Sequence, residues 1–103
     1  MTTSAETTTA EYTITLPRLI GTRSGADELV SELPDDLSNA NVIVDATENQ
    51  ASSQGFVDQL CMQIMEVRLA KSLTVVSETG NLRRWVELSA GNRYFADRIS
   101  FQD

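Results

Sequence analysis

Histidine is absent from this chain of 103 residues. That absence removes the commonest general base, the commonest zinc ligand and every histidine-containing triad. Cysteine occurs once, as Cys61, so no internal disulfide can form. Small secreted domains are usually stapled by several disulfides, so the cytoplasm is the expected compartment. Lysine also occurs once, as Lys71. A serine–lysine nucleophile would need Lys71 beside a serine such as Ser53, yet a helix running between them holds the two roughly 27 Å apart at 1.5 Å per residue. No apolar run exceeds three residues, Val42 to Val44 being one, so no membrane span is expected. No charged-then-apolar segment opens the chain, so no secretory leader is expected either. The glycine-bounded fragment Gly21-Thr-Arg-Ser-Gly25 lacks the phosphate-loop pattern and its lysine. Neither a metal nor a cofactor is implied, and an enzyme is not expected.

Acidic side chains, by contrast, are plentiful. They outnumber basic ones 15 to 8, giving a net charge of −7. Such a chain repels phosphate backbones, which argues against nucleic-acid binding by counterion release. The charge is also uneven. Residues 1–66 carry eleven acids against two bases, Arg18 and Arg23, whereas residues 67–103 carry four acids against six bases. Ordinary surface variation accounts for this, and so does an acidic face that steers a basic partner.

Residues 1–10 are threonine-rich and poor in large apolar side chains, and read as a disordered tail ahead of one domain over 11–103. Tyr12 to Leu16 alternates as a strand does, and Pro17 ends it or confines it to an edge. Ser24 is placed to cap a helix running to about Leu33, with Ala26, Leu29, Val30 and Leu33 on one face. Val42-Ile-Val-Asp45 and Leu73-Thr-Val-Val76 read as buried central strands of a parallel sheet. A long helix is expected from about Gln54 to Lys71, its apolar side running through Phe56, Val57, Leu60, Cys61, Ile64, Val67 and Leu69. Glu78 to Asn81 reads as a turn. Leu82, Trp85, Val86 and Leu88 mark a third helix, stopped by Gly91. Tyr94 and Phe95 are expected to fold back onto the core, and Ile99 to Phe101 to add a last strand. The alternation of strand and helix implies an α/β open sandwich with a mixed, mostly parallel sheet and right-handed crossovers. Ligands and partners of such folds meet the loops at the carboxyl ends of the strands. Here those loops are Thr47 to Gly55 and Ser77 to Asn81.

The junction from Val42 to Leu60 is the most informative segment. An apolar strand ends in Asp45, a polar loop follows, and small hydroxyl residues open an amphipathic helix. Ser52 or Ser53 serves as the N-cap, and Asp58 sits early in the helix, where the macrodipole favours an anion. The same exposed helix start is rich in donors and anion-friendly, so a phosphate there would add about −1.5 to −2 charges to a docking surface. Cys61 faces the core of its helix and reads as a small buried hydrophobe.

At this junction the sequence resembles a STAS domain, the fold of sulfate-transporter cytoplasmic domains and bacterial anti-sigma-factor antagonists. The similarity runs from about Asn41 to Phe101. It takes in the strand ending at Asp45, the serine-rich approach to the long helix, the strand Leu73 to Val76 and the helix Asn81-Leu-Arg-Arg-Trp-Val86. It is most similar to the bacterial STAS-like family whose long helix opens with Phe-x-Asp-x-Leu, here Phe56-Val-Asp-Gln-Leu60. That family carries an arginine in the turn before its first helix, matched by Arg23.

The resemblance implies partner switching, in which a kinase-like ATPase phosphorylates a serine of an Asp-Ser-Ser-Gly motif and is then released. Counted without gaps from Asp45, that motif falls on Ser53-Gln54-Gly55-Phe56, with Gly55 at the phosphoacceptor place. The switch is then either absent, the leading reading, or moved to Ser52 or Ser53. The expected function is a non-catalytic, cytoplasmic regulatory module that docks a kinase-like ATPase or anti-sigma factor. The expected contact set is Thr47, Glu48, Ser52, Ser53, Gln54, Gly55 and Asp58. The alternative is a small-ligand sensor for a nucleotide or anion. An enzyme would require a pocket built from Asp45, Asp58 and Arg23.

Overall fold

The structure, a computed structural model, describes residues 9–78 and 81–103. Residues 1–8 of the expected tail and Thr79 and Gly80 of the expected turn lie outside the described residues. Ala10 of that tail already belongs to β1 (Ala10–Thr15). The chain continues through β2 (Leu19–Ile20), α1 (Arg23–Val30), β3 (Ala40–Asp45), β4 (Ala51–Ser52) and α2 (Gln54–Cys61). A π-helical extension (Met62–Val67), β5 (Ser72–Val76), α3 (Leu82–Asn92), a 3₁₀ turn (Ala96–Arg98) and β6 (Ile99–Gln102) complete it. The fold is an α/β open sandwich.

The four longer strands form one sheet in the order β1-β3-β5-β6, every neighbouring pair parallel. Strands that follow one another in this order, joined by right-handed crossovers, collect their helices on one face. Burial agrees. Ile14, Val42, Val44, Leu73 and Val75 are buried, and Val44 and Val75 are neighbours in register. The alternate residues Thr13, Ile43, Thr74 and Ser100 form a row across the opposite, open face. The central strands are therefore not buried on both faces. Ile43 and Val76 continue the apolar runs in the sequence but sit half-exposed. The open face is otherwise polar and is tied by hydroxyls: Ser72 Oγ donates to Asn41 Oδ1 at 2.6 Å, and the Thr74 and Ser100 hydroxyls lie 3.0 Å apart.

Local chemistry shifts several element boundaries. Thr22, not Ser24, caps α1, its Oγ1 accepting from the Gly25 N–H at 3.0 Å. The long helix stays α-helical only to Cys61 and then widens to a π-helix. The wider turns carry Ile64 and Met65 into the core but rotate Val67 out to 58 % exposure. Leu69, also exposed, takes a φ of 60° as the chain leaves the helix, and the Ala70 N–H closes the end on the Ile64 carbonyl at 3.0 Å. Arg68 reaches back to the carbonyls of Leu33 and Pro34, both at 3.0 Å, fastening the loop after α1.

Gly91 lies inside α3 and does not stop it. The reversal comes at Tyr94, whose φ is 62°. Tyr94 itself is 90 % exposed, while Phe95 is fully buried, so only the second of this pair folds back onto the core. Leu88, on the apolar side expected for α3, is exposed as well. Among the described residues no helix is long and apolar enough to cross a membrane.

Candidate functional site

The segment between β3 and α2 is fixed at both ends. Asp45 Oδ1 accepts from the Thr47 N–H at 3.0 Å and from Thr47 Oγ1 at 2.6 Å, closing an Asx turn at the end of β3. These bonds hold the Asp45 carboxyl below its ordinary range. At the other end Ser53 caps α2. Its Oγ accepts from the Phe56 N–H at 3.1 Å and donates to the Gly21 carbonyl at 2.9 Å. Between them β4 pairs in parallel with β2, Leu19 opposite Ala51 and Ile20 opposite Ser52. Buried Asn49 cross-links the loop, its Nδ2 donating to the carbonyls of Pro17 at 2.8 Å and Ala51 at 3.3 Å. Removing the Ser53 hydroxyl takes away the cap and the tie to Gly21 together. Ser53→Ala is therefore expected to cost about 1 kcal/mol, read as a lower urea midpoint with unchanged slope.

A hollow of about 620 Å³ opens beside the start of α2, lined by Arg23, Gln54, Gly55, Asp58, Glu66, Asn92 and Arg93. Asp58 is its organising group. Its Oδ1 accepts from Ser89 Oγ and Arg93 Nε, both at 2.9 Å, and its Oδ2 pairs with Arg93 Nη2 at 2.7 Å. Arg23 Nη1 approaches Oδ2 at 3.4 Å and Gln59 Oε1 at 3.2 Å. Arg93 Nη1 also holds Glu66 at 2.7 Å. The bidentate Arg93 lowers the Asp58 pKa to about 2 against the opposing effect of burial, with Ser89 and Arg23 adding to the shift. The same pairing raises Arg93 above its ordinary value. Two guanidiniums and two carboxylates leave the hollow electrically balanced. Beneath it, burial pushes the Cys61 thiol up to about 12, which keeps it protonated and unreactive.

The expected contact residues separate into three places. Gln54, Gly55 and Asp58 line the hollow. Ser52 and Ser53 line a shallower depression with Leu19, Gly21 and Ala51. Thr47 and Glu48 are exposed on the turn after β3 and line neither. A Cβ at Gly55 would meet Arg23 at 3.7 Å, an ordinary contact, so no steric rule demands glycine there. Of the trio an enzyme would need, Arg23 and Asp58 meet, whereas Asp45 bonds Thr47 and does not line the hollow. Among the described residues no three histidine, cysteine or carboxylate side chains cluster to hold a metal ion.

Ser89, Glu66 and Arg93 complete the site, and no pattern in the sequence points to them; Asn49 falls in the expected loop, but its burial and cross-link are not legible there. Ser89 and Arg93 stand 31 and 35 residues from Asp58, and no local pattern links them. No family model matches this chain, and the curated proteins and the solved structures contain no match to it.

Proposed function

We propose that this chain is a non-catalytic, cytoplasmic regulatory module that docks a signalling protein of the kinase-like ATPase or anti-sigma-factor kind. The contact runs along Thr47 to Gly55. The observation that carries this reading is the rigid presentation of that loop, held by the Asp45 turn, the β2–β4 pairing, buried Asn49 and the Ser53 cap while Thr47, Glu48 and Gln54 stay exposed. A loop fixed in this way loses little conformational freedom when a partner binds. Its resemblance to STAS-like domains supports the same surface.

The acids on and beside this surface are Glu48, exposed on the loop, Asp45 at its start, bonded to Thr47, and Asp58 beyond its end, paired with Arg93 and Arg23. The partner's contact face is accordingly basic. Glu48→Arg and Gln54→Arg are each expected to weaken capture of the partner by about tenfold, and added salt to weaken it further. Capture indifferent to both substitutions and to salt would overturn the reading. Asp58→Lys is a poor probe, because it removes the anchor of the hollow rather than a contact. Docking is constitutive on this reading. Gly55 stands at the phosphoacceptor place that the resemblance assigns, and the Ser53 hydroxyl is engaged both as acceptor and as donor.

The second reading, an anion or nucleotide sensor, draws on the two arginines beside the start of α2. The balancing Asp58 and Glu66 carboxylates count against it. A ligand at a hundred times its dissociation constant would add about 2.7 kcal/mol of stability. Thermal shifts with inorganic phosphate and nucleotides are expected to be silent.

A further inference from the structure

β1 is a terminal strand of the sheet, and among the described residues it pairs with β3 alone. The Ala10 N–H donates to the Asn39 carbonyl at 3.0 Å and the Leu16 N–H to the Asp45 carbonyl at 2.9 Å. The even-numbered residues of β1 thus serve β3. Glu11, Thr13 and Thr15 direct their N–H and C=O groups away from the sheet, since successive residues of a strand point to opposite sides. Natural edges are usually blunted by lysine, proline, a bulge or extreme shortness. β1 has six residues with neither lysine nor proline. The opposite edge, β6, is shorter, and Arg83 lies over its Phe101 ring at 4.4 Å.

We infer that two copies of this chain associate by antiparallel pairing of their β1 edges about a two-fold axis through Thr13. In this register Thr13 and the partner's Thr13 exchange both backbone bonds. Glu11 opposes the partner's Thr15 and Tyr12 opposes the partner's Ile14. All three outward residues of each strand are used, and no like charges face each other. Centring on Glu11 would set two carboxylates together. Centring on Thr15 would set Pro17, which has no N–H, where Thr13 needs a donor.

The surface beside the edge fits the same occupant. A groove of about 210 Å³ runs between β1 and α1, lined by Thr13, Ile14, Thr15, Leu29, Glu32 and Leu33. The partner's Tyr12, half-buried against its own core, is opposite Ile14 on the helix-covered face, which sets its exposed edge at the mouth of this groove. Aromatic and β-branched side chains make favourable pairs across antiparallel strands. Each copy carries a net charge of −7. Salt therefore strengthens this contact by screening repulsion, opposite to its effect on a basic docking partner.

Sedimentation of the full chain from about 10 μM to about 1 mM tests the pairing. The expected result is a monomer–dimer equilibrium that shifts toward dimer with salt. Thr13→Pro removes an N–H that β3 does not use. It should weaken dimerisation by more than about tenfold while leaving the circular dichroism spectrum unchanged. Thr13→Cys places two thiols across the axis, where opposed Cα atoms in a bonded pair lie about 5.5 Å apart. A short bis-maleimide should join them far faster than it joins Glu48→Cys, and native Cys61, buried and protonated, should not compete. Glu48→Arg and Gln54→Arg, which make each copy less negative, should not weaken dimerisation, which separates it from docking. A chain monomeric throughout, or Thr13→Cys linking no faster than Glu48→Cys, overturns the inference. So do masses that climb beyond two copies, which would join β1 to the β6 edge of the next molecule.

Discussion

Replacing Phe95 by alanine is expected to lower the unfolding free energy by about 3–5 kcal/mol. Phe95 is fully buried and, with Phe56, is among the largest such side chains in the core. Its position is set by backbone chemistry rather than by a regular element. Tyr94 turns the chain with a φ of 62°, and the Phe95 N–H closes on the Ala90 carbonyl at 3.0 Å. The Arg98 N–H in turn closes on the Phe95 carbonyl at 2.9 Å, leading into β6. Losing the ring leaves a cavity where the end of α3 meets the sheet, and the fixed backbone on both sides limits collapse into it. Domains of this size are stable by roughly 5–15 kcal/mol, so the change consumes a large part of the total. The thermal midpoint should fall by more than about 12 °C. Tyr94→Gly is the matched control. It removes an exposed ring from a position whose φ suits glycine, and should move stability by no more than about 1 kcal/mol. Equal losses at the two positions would contradict the burial that separates them.

The pair Tyr94 and Phe95 also shows where sequence reading reaches its limit. Two adjacent aromatics carry no information on which one turns inward; the left-handed residue decides, and tyrosine gives no signal of that conformation. Gly91 gave a misleading one, because a helix tolerates glycine when its neighbours pack, as Val86 and Ala90 do. The strand–helix alternation and the central place of β3 and β5 were readable, since apolar runs bounded by polar loops have few other solutions. That the sheet is covered on one face only was not. Ile43 and Val76 make those runs continuous, as they would be in a doubly covered sheet. Val67 keeps a helical period with Ile64, and nothing local announces the wider π turns that rotate it outward. At the site, a serine cap at Ser52 or Ser53 and the position of Asp58 in the first turns of α2 followed from spacing, and the structure puts the cap on Ser53. The arginine that binds Asp58 did not, because folding alone brings α3 against α2.

That same ion pair sets the second large effect. Asp58→Asn is expected to cost about 2 kcal/mol at neutral pH. The carboxyl pKa is lowered to about 2 from an ordinary value of 3.8, and a shift of one unit corresponds to about 1.4 kcal/mol. Asp58 is about a quarter exposed, so the figure holds to order of magnitude. Because the folded carboxyl releases its proton more readily than the unfolded one, its contribution is fully present above the unfolded pKa. It is lost as pH falls from about 4 to about 2, over which the unfolded chain binds the proton first. Urea midpoints measured across this range should therefore fall for the natural chain. Asp58→Asn should show a shallower acid limb, the gap between the two curves narrowing toward the low end. The substitution also leaves the Arg93 guanidinium with Glu66 as its remaining carboxylate and leaves one amide N–H₂ facing it, so part of the loss persists in acid. A natural chain whose stability is flat between pH 4 and 2 would mean that Arg93 and Asp58 are not paired in solution. If the loss appears as expected, Asp58 is a structural anchor of the hollow. Any fall in partner capture by an Asp58 variant must then be measured under conditions where that variant remains folded.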